Sequence, residues 1–213
     1  MQLGFEENLV TVWVIESPAL MRRYVEELWQ QTEGKEGNFV LSNGGKELDI
    51  GKQVELLLTP FGVDVNEKKC WNKVSAELKN KAFDETHYVQ TQQLFTVVQQ
   101  YFISLEMDSE LDFCYDEIDF GQLLKASGMK LEGDDNDLIN NLVLYLKIMA
   151  RLFRKQVIAF VNLSAFLEPE ELELLLHQAF YMKLNILLIE SREISLADRK
   201  KCFIIDKDKC EIY

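Results

Sequence analysis

Two apolar runs in the last third of the chain end on polar residues, and chemistry is looked for there first. VIAFV (Val157–Val161) runs into Asn162, and ILLI (residues 186–189) runs into Glu190. Both runs are short and unbroken by polar alternation, as in strands buried on both faces of a sheet. In open α/β sheets, ligands gather at the carboxyl ends of such strands. Nucleotide hydrolysis would need a magnesium-linked acid and a catalytic acid at this point. The chain has Asn162 and Leu163, and a neutral amide cannot supply the charge.

The matching phosphate loop is also missing. G-x-x-x-x-G-K-[ST] holds phosphates with backbone amides and a lysine. The first apolar run, residues 9–15, leads instead into Glu16-Ser17-Pro18-Ala19-Leu20-Met21, which has no Gly or Lys and a proline that removes an amide. Gly44-Gly45-Lys46 lacks the spacing and the following Ser or Thr. His87 and His177 are the only histidines, and neither sits by a Ser or Cys in a recognisable arrangement. Zinc and histidine-based catalysis therefore have few parts, and no catalytic residue is expected.

Two other constellations remain. Asp112, Asp116, Glu117 and Asp119 fall in LDFCYDEID, and Glu132, Asp134, Asp135 and Asp137 in EGDDND. Calcium takes six to eight oxygens, often from carboxylates gathered by loops, but neither segment has the order of an EF-hand. EGDDND also reads as an acidic helix entry, and LDFCYDEID as a solvated turn. Lysines recur at Lys46, Lys52, Lys68, Lys69, Lys79, Lys81, Lys125 and Lys130, with Arg151, Arg154 and Lys155 further on. They could line a DNA-facing surface. Ordinary solvated helix faces are the other reading.

The elements that would position these groups follow from periodicity. Residues 9–15 read as a strand, and Ser17 then Pro18 open a helix to about Thr32. A short strand at 39–41 precedes the turn Ser42-Asn43-Gly44-Gly45, and residues 53–58 read as a buried strand. Residues 66–107 hold neither Gly nor Pro. They read as two helices, about 67–82 and 84–107, the second with an apolar stripe including Leu94, Val97, Tyr101 and Leu105. Residues 111–115 read as extended, 119–126 as a helix, and 134–153 as a helix with acidic entry and basic exit. A helix over 168–182 joins the two late strands in a right-handed parallel crossover. The last strand is at 202–205. The expectation is an α/β fold with a central, mainly parallel sheet, its head split between residues 1–60 and 154–213. A mainly α-helical insert fills 61–153, with a junction segment at 110–135.

The chain has 213 residues, is 47% hydrophobic and carries a net charge of −13. That charge disfavours nucleic-acid binding by the whole surface, favours hard cations, and leaves room for a local basic lining. No basic region followed by an apolar core opens the sequence, and no apolar run approaches a membrane span. Cys70, Cys114, Cys202 and Cys210 are scattered. They suit reduced thiols, so a cytoplasmic protein without membrane partners is expected.

VIAFVNLSAFLEPEELELL followed by NILLIESREI resembles the C-terminal part of the ring-forming, DNA-end-binding adaptation protein of type II-A CRISPR systems. FGVDVN (residues 61–66) and ELDFCYDEID with LLKASGMKLE (within 110–132) resemble further segments in the same order. The likeness is best from about residue 54 to 194. It implies a degenerate P-loop-ATPase-like head, a helical leg, and a homotetrameric ring whose hole takes double-stranded DNA ends without sequence preference. It implies calcium at the head–leg junction, no nucleotide, and no nuclease or ATPase activity. The implied role is spacer acquisition in antiviral defence, alongside the integrase pair and the RNA-guided effector nuclease. Carried onto this chain, the calcium ligands fall on Asp112, Asp116, Glu117 and Glu132, with Gln122 where the family can show Glu. The DNA contacts fall on Lys125 and Lys130, then on Lys46 and Lys52. A ring would also let an acidic chain bind DNA, because a narrow basic hole focuses potential. The alternatives are a divergent ATPase or carboxylate-metal nuclease using Asp116, Glu117 and Glu132, and a protein-binding scaffold using the acidic surface.

Overall fold

All six residues of β1 (Val10–Ile15) are buried, as a strand inside a covered sheet requires, and the hydroxyl of its one polar residue, Thr11, donates to the Gly4 carbonyl at 3.0 Å. The computed structural model describes residues 2–107, 111, 113–133, 137–196 and 200–212. From β1 the chain enters α1 (Pro18–Thr32), with Ser17 extended at the cap and Pro18 at the first helical position. A hairpin of β2 (Leu41–Asn43) and β3 (Lys46–Leu48) turns on Gly44 and Gly45, both at positive φ, where a Cβ would be strained. The expected strand at 39–41 shifts into this hairpin, whose second arm is too short to show a period. The short helix α2 (Ile50–Gln53), capped by the Asp49 side chain on the Lys52 amide, delivers the chain to β4 (Val54–Leu57).

Three helices follow: α3 (Lys68–Ala82), α4 (Tyr88–Glu106) and α5 (Phe120–Ala126). The chain then forms α6 (Leu138–Arg151), β5 (Val157–Val161), α7 (Pro169–Tyr181), β6 (Asn185–Glu190), β7 (Lys200–Ile205) and β8 (Glu211–Ile212). The main sheet runs β4-β5-β6-β1-β7-β8. Its first five strands are parallel, and β8 adds antiparallel to the edge of β7. The protein thus has an α/β fold with a mainly parallel central sheet. On one face, Trp13, Ile15, Ala159, Leu187 and Ile189 pack with Met21 and Leu28 of α1. Alternate residues such as Val12, Val14, Ile158 and Leu188 are equally buried and point the other way. Strands β5 and β6, joined through α7, pair in parallel as expected, with Val157 opposite Asn185 and Val161 opposite Ile189.

The chain divides into two compact units, residues 1–65 with 133–213, and residues 66–132. Helix α6 therefore belongs with the sheet and not with the insert where the sequence reading put it. Leu142, Leu146 and Met149 are buried, and the Tyr145 hydroxyl donates to Glu55 Oε1 of β4 at 2.6 Å. Amphipathic periodicity marks such a face without saying which unit it meets.

Within the insert, Phe83 packs edge-on against Phe120 and tilted against Phe95, and Thr91 Oγ1 donates to the Ala82 carbonyl at 2.7 Å. Helix α4 starts at Tyr88, later than predicted. Asp84 Oδ1 accepts the amides of Thr86 and His87, which spends the intervening residues on a turn. Only Thr91 is buried in α4, so the apolar stripe read from the sequence lies at the surface. Residue 111 and residues 113–119 have no regular structure where residues 111–115 were expected to extend, and Asp112 lies outside the described residues. Asp134 and Asp135 lie outside them too; the side chain of Asp137 caps α6 on the Asn140 amide at 2.9 Å.

Candidate functional site

The carboxyl ends of β5 and β6 hold each other. Asn162 adopts the left-handed conformation (φ 49°), which an asparagine tolerates better than most residues. Its amide donates to the Ile189 carbonyl at 2.8 Å, and its Oδ1 accepts the Ser191 amide at 2.9 Å. Glu190 is 1% exposed. Its Oε1 accepts the Ser164 amide at 3.1 Å and its Oε2 the Ser164 hydroxyl at 2.7 Å. Burial pushes the Glu190 carboxyl above its ordinary value, and the hydrogen bonds from Ser164 and the charge of Arg192 partly oppose the shift. Glu190 thus acts as an internal cap for the 3₁₀ turn Leu163–Ala165, and Asn162 ties that turn to the residue after β6. Neither arrangement presents an acid to solvent.

At the end of β1, the Glu16 amide donates to the Ile205 carbonyl, and Ser17 makes no side-chain cap bond. The segment has no glycine and loses the Pro18 amide, so the backbone offers no cradle for phosphate. His87 pairs with Asp84 at 2.9 Å, and His177 packs against Tyr181.

The acidic candidates of the insert are dispersed. Asp116, Glu117 and Glu132 are exposed. Asp119 is spent on structure: Oδ1 accepts the Gln122 amide at 2.8 Å and Oδ2 accepts Lys79 Nζ at 3.1 Å. Those partners, the Gln122 amide first, hold its carboxyl below the usual range. Among the described residues, no three His, Cys, Asp or Glu side chains come together where they could hold a metal ion. The described members of the calcium set therefore do not by themselves form a cage for it.

The basic candidates separate by unit. Lys125 closes α5 and Lys130 follows the Gly128 turn; both are exposed in the insert. Lys46 on β3 and Lys52 on α2 belong to the sheet unit, and Lys52 lies 3.4 Å from Asp49. Lys155 does not belong with a DNA-facing set. Its side chain is 8% exposed, donates to the carbonyls of Gly51 (2.9 Å) and Val54 (2.7 Å), and lies 3.4 Å from Glu55. A lysine after a helix looks solvated in sequence; only the sheet edge beside it shows the burial.

The family model described as CRISPR-associated protein (Cas_Csn2) matches residues 31–209. The chain belongs to the Cas_Csn2 family. The CRISPR-associated protein Csn2 of Streptococcus agalactiae is 28% identical over 161 residues, 74% of this chain and 71% of that protein. The crystal structure of Stu0660 of Streptococcus thermophilus superposes with a TM-score of 0.59 at 13% identity, covering 88% of this chain. At that identity the likeness concerns the fold, and the chain spans 64% of the length of that structure. The Csn2 match runs across both compact units, so the insert is part of the family pattern. No helix among the described residues is long and apolar enough to cross a membrane.

Proposed function

We propose that copies of this chain assemble into a homotetrameric ring that binds double-stranded DNA ends without sequence preference and without catalysis. In this reading the ring serves spacer acquisition in the cytoplasm of a cell with a type II-A CRISPR system, beside the integrase pair and the RNA-guided effector nuclease. The observation that carries the self-assembly is α4. It has one charged residue, Glu106, in 19, although 28% of the whole chain is charged. Leu94, Val97, Tyr101 and Leu105 are all exposed on it, at 45% or more. A long apolar stripe at the surface suits a face covered by a second copy.

The site chemistry supports binding in preference to hydrolysis. Asn162 is neutral, Glu190 is committed to Ser164, and the β1-to-α1 segment has no phosphate cradle. Lys125 and Lys130 remain the DNA contacts proposed for the insert, with Lys46 and Lys52 from the sheet unit. Calcium, where bound, would be held by Asp112, Asp116, Glu117 and Glu132. Light scattering of the full chain, with and without calcium, linear duplex and covalently closed circles, tests the reading. A tetramer that binds only linear duplex is expected. A monomer throughout, or equal affinity for closed circles, would overturn it. Calcium-independent mass would remove calcium alone.

A further inference from the structure

Helix α3 of the insert exposes one kind of surface. Its exposed positions are Lys68, Lys69, Lys73, Lys79 and Lys81, with Asn72, Asn80 and Ala76 between them. Its one acid, Glu77, is half-buried and lies 3.5 Å from Lys81. At the helical repeat, Lys68, Lys69, Lys73 and Lys79 fall within an arc of roughly 140°. That arc faces away from Cys70 and Ala82, which are buried. We propose that this face is a contact surface for the phosphodiester backbone of double-stranded DNA. The inference rests on the DNA-binding reading above and adds Lys68, Lys69 and Lys73, which the resemblance did not mark.

Charge comes first. Five lysines against one glutamate give this 15-residue helix a net +4 (5 − 1) inside a chain of −13; Lys79 is paired with Asp119 at 3.1 Å and Glu67 stands at the N-cap, so the excess is greatest at Lys68, Lys69 and Lys73. The face is a local reversal of sign, which is what a phosphate backbone needs from an acidic protein. The residue types come second. Lysine and asparagine both donate hydrogen bonds to phosphate oxygens, while no exposed position on the helix is an aromatic ring for stacking or an arginine fork for base edges. Backbone contact without sequence reading follows from that set. The helix dipole does not explain the arrangement, because Lys68 and Lys69 occupy the first turn, where it disfavours cations, while the acid it favours, Glu67 at the N-cap, accepts from Cys70 Sγ at 3.6 Å. The length also fits. Lys68 to Lys81 spans about 20 Å along the axis, comparable with roughly six phosphates of one strand.

Salt dependence of binding to a short linear duplex tests this, using the full chain. The K68Q/K69Q/K73Q variant keeps good helix formers and is expected to lower the slope of log affinity against log salt by about 2 to 3, close to one per lost phosphate contact. K35Q/K207Q/K209Q removes the same charge elsewhere and is expected to keep the wild-type slope. A wild-type slope in the α3 variant overturns the inference and leaves the DNA-binding reading standing. An equal fall in both variants also overturns it, since net charge would then be the cause. Wild-type protein that fails to bind duplex sinks the reading and the inference together. If the triple variant misfolds, K68Q, K69Q and K73Q are measured singly, each expected to lower the slope by about 0.9 and each counting against the inference if it does not.

Discussion

Asn66 and Leu131, 65 positions apart, exchange two hydrogen bonds: Asn66 Nδ2 donates to the Leu131 carbonyl at 3.0 Å, and the Leu131 amide donates to Asn66 Oδ1 at 2.8 Å. One side chain imitates a strand partner and closes the insert where it begins and ends. The two residues lie in FGVDVN and MKLE, segments the sequence shows only as separate likenesses. Asn66→Ala leaves both Leu131 backbone groups half-buried without this partner and should cost about 1 to 3 kcal/mol. Hydrogen exchange checks it: protection at the Leu131 amide should fall while Val12 in the central strand keeps its own. Unchanged protection at Leu131 would mean the clasp contributes nothing.

Glu190 gives a pH dependence with a definite sign. Its folded carboxyl titrates above the ordinary glutamate value, chiefly through burial. Between the unfolded and folded values the folded state binds more protons, so its contribution to stability falls as pH rises through that window and then levels off. Glu190→Gln removes the titration and keeps an oxygen for the Ser164 amide. The melting temperature of the variant relative to wild type should therefore rise with pH across the window. A difference that does not change with pH would refute the assignment.

Lys155 and Glu55 form a buried pair, with the Tyr145 hydroxyl on the other carboxylate oxygen at 2.6 Å. Lys155→Met would leave the carboxylate buried without its ammonium partner and take donors from two carbonyls. A loss of roughly 3 to 5 kcal/mol in urea unfolding is expected. Adding Glu55→Gln should recover part of it, because the uncompensated charge is gone. Additive losses in the double variant would show that the two residues are not coupled.

What could be read in advance depended on whether the signal was local. The strands around Val12, Ile158 and Leu188 are short runs buried on both faces, and such runs stand out without any partner being known. The missing phosphate cradle was legible for the same reason, since Ser17 and Pro18 are adjacent in the chain. The unit to which α6 belongs was not, because Tyr145 meets Glu55 across 90 positions. Lysine roles were equally hidden: Lys155 and Lys69 look alike in sequence, and only the fold buries one and exposes the other. Asp119 reads in sequence as part of an acidic cluster, whereas its capping bond to Gln122 is a matter of backbone direction.

Helix α4 gives the most direct test of self-assembly. Val97 and Tyr101 are four residues apart, so both lie on one side of the helix, and each is 61% exposed. Neither is among the buried residues described in the insert, which are Cys70, Ala82, Thr91 and Leu124. Val97→Glu with Tyr101→Glu should therefore leave the helix folded by circular dichroism. If a second copy covers this stripe, two carboxylates would be buried against apolar surface without partners, and the interface should fail. Light scattering should then give a mass near that of one 24.8 kDa chain at concentrations where the wild type is larger. A variant that keeps the wild-type mass would show that α4 is not the contact between copies. If assembly creates the basic hole, the same variant should also lose most affinity for linear duplex, even though none of its lysines has changed.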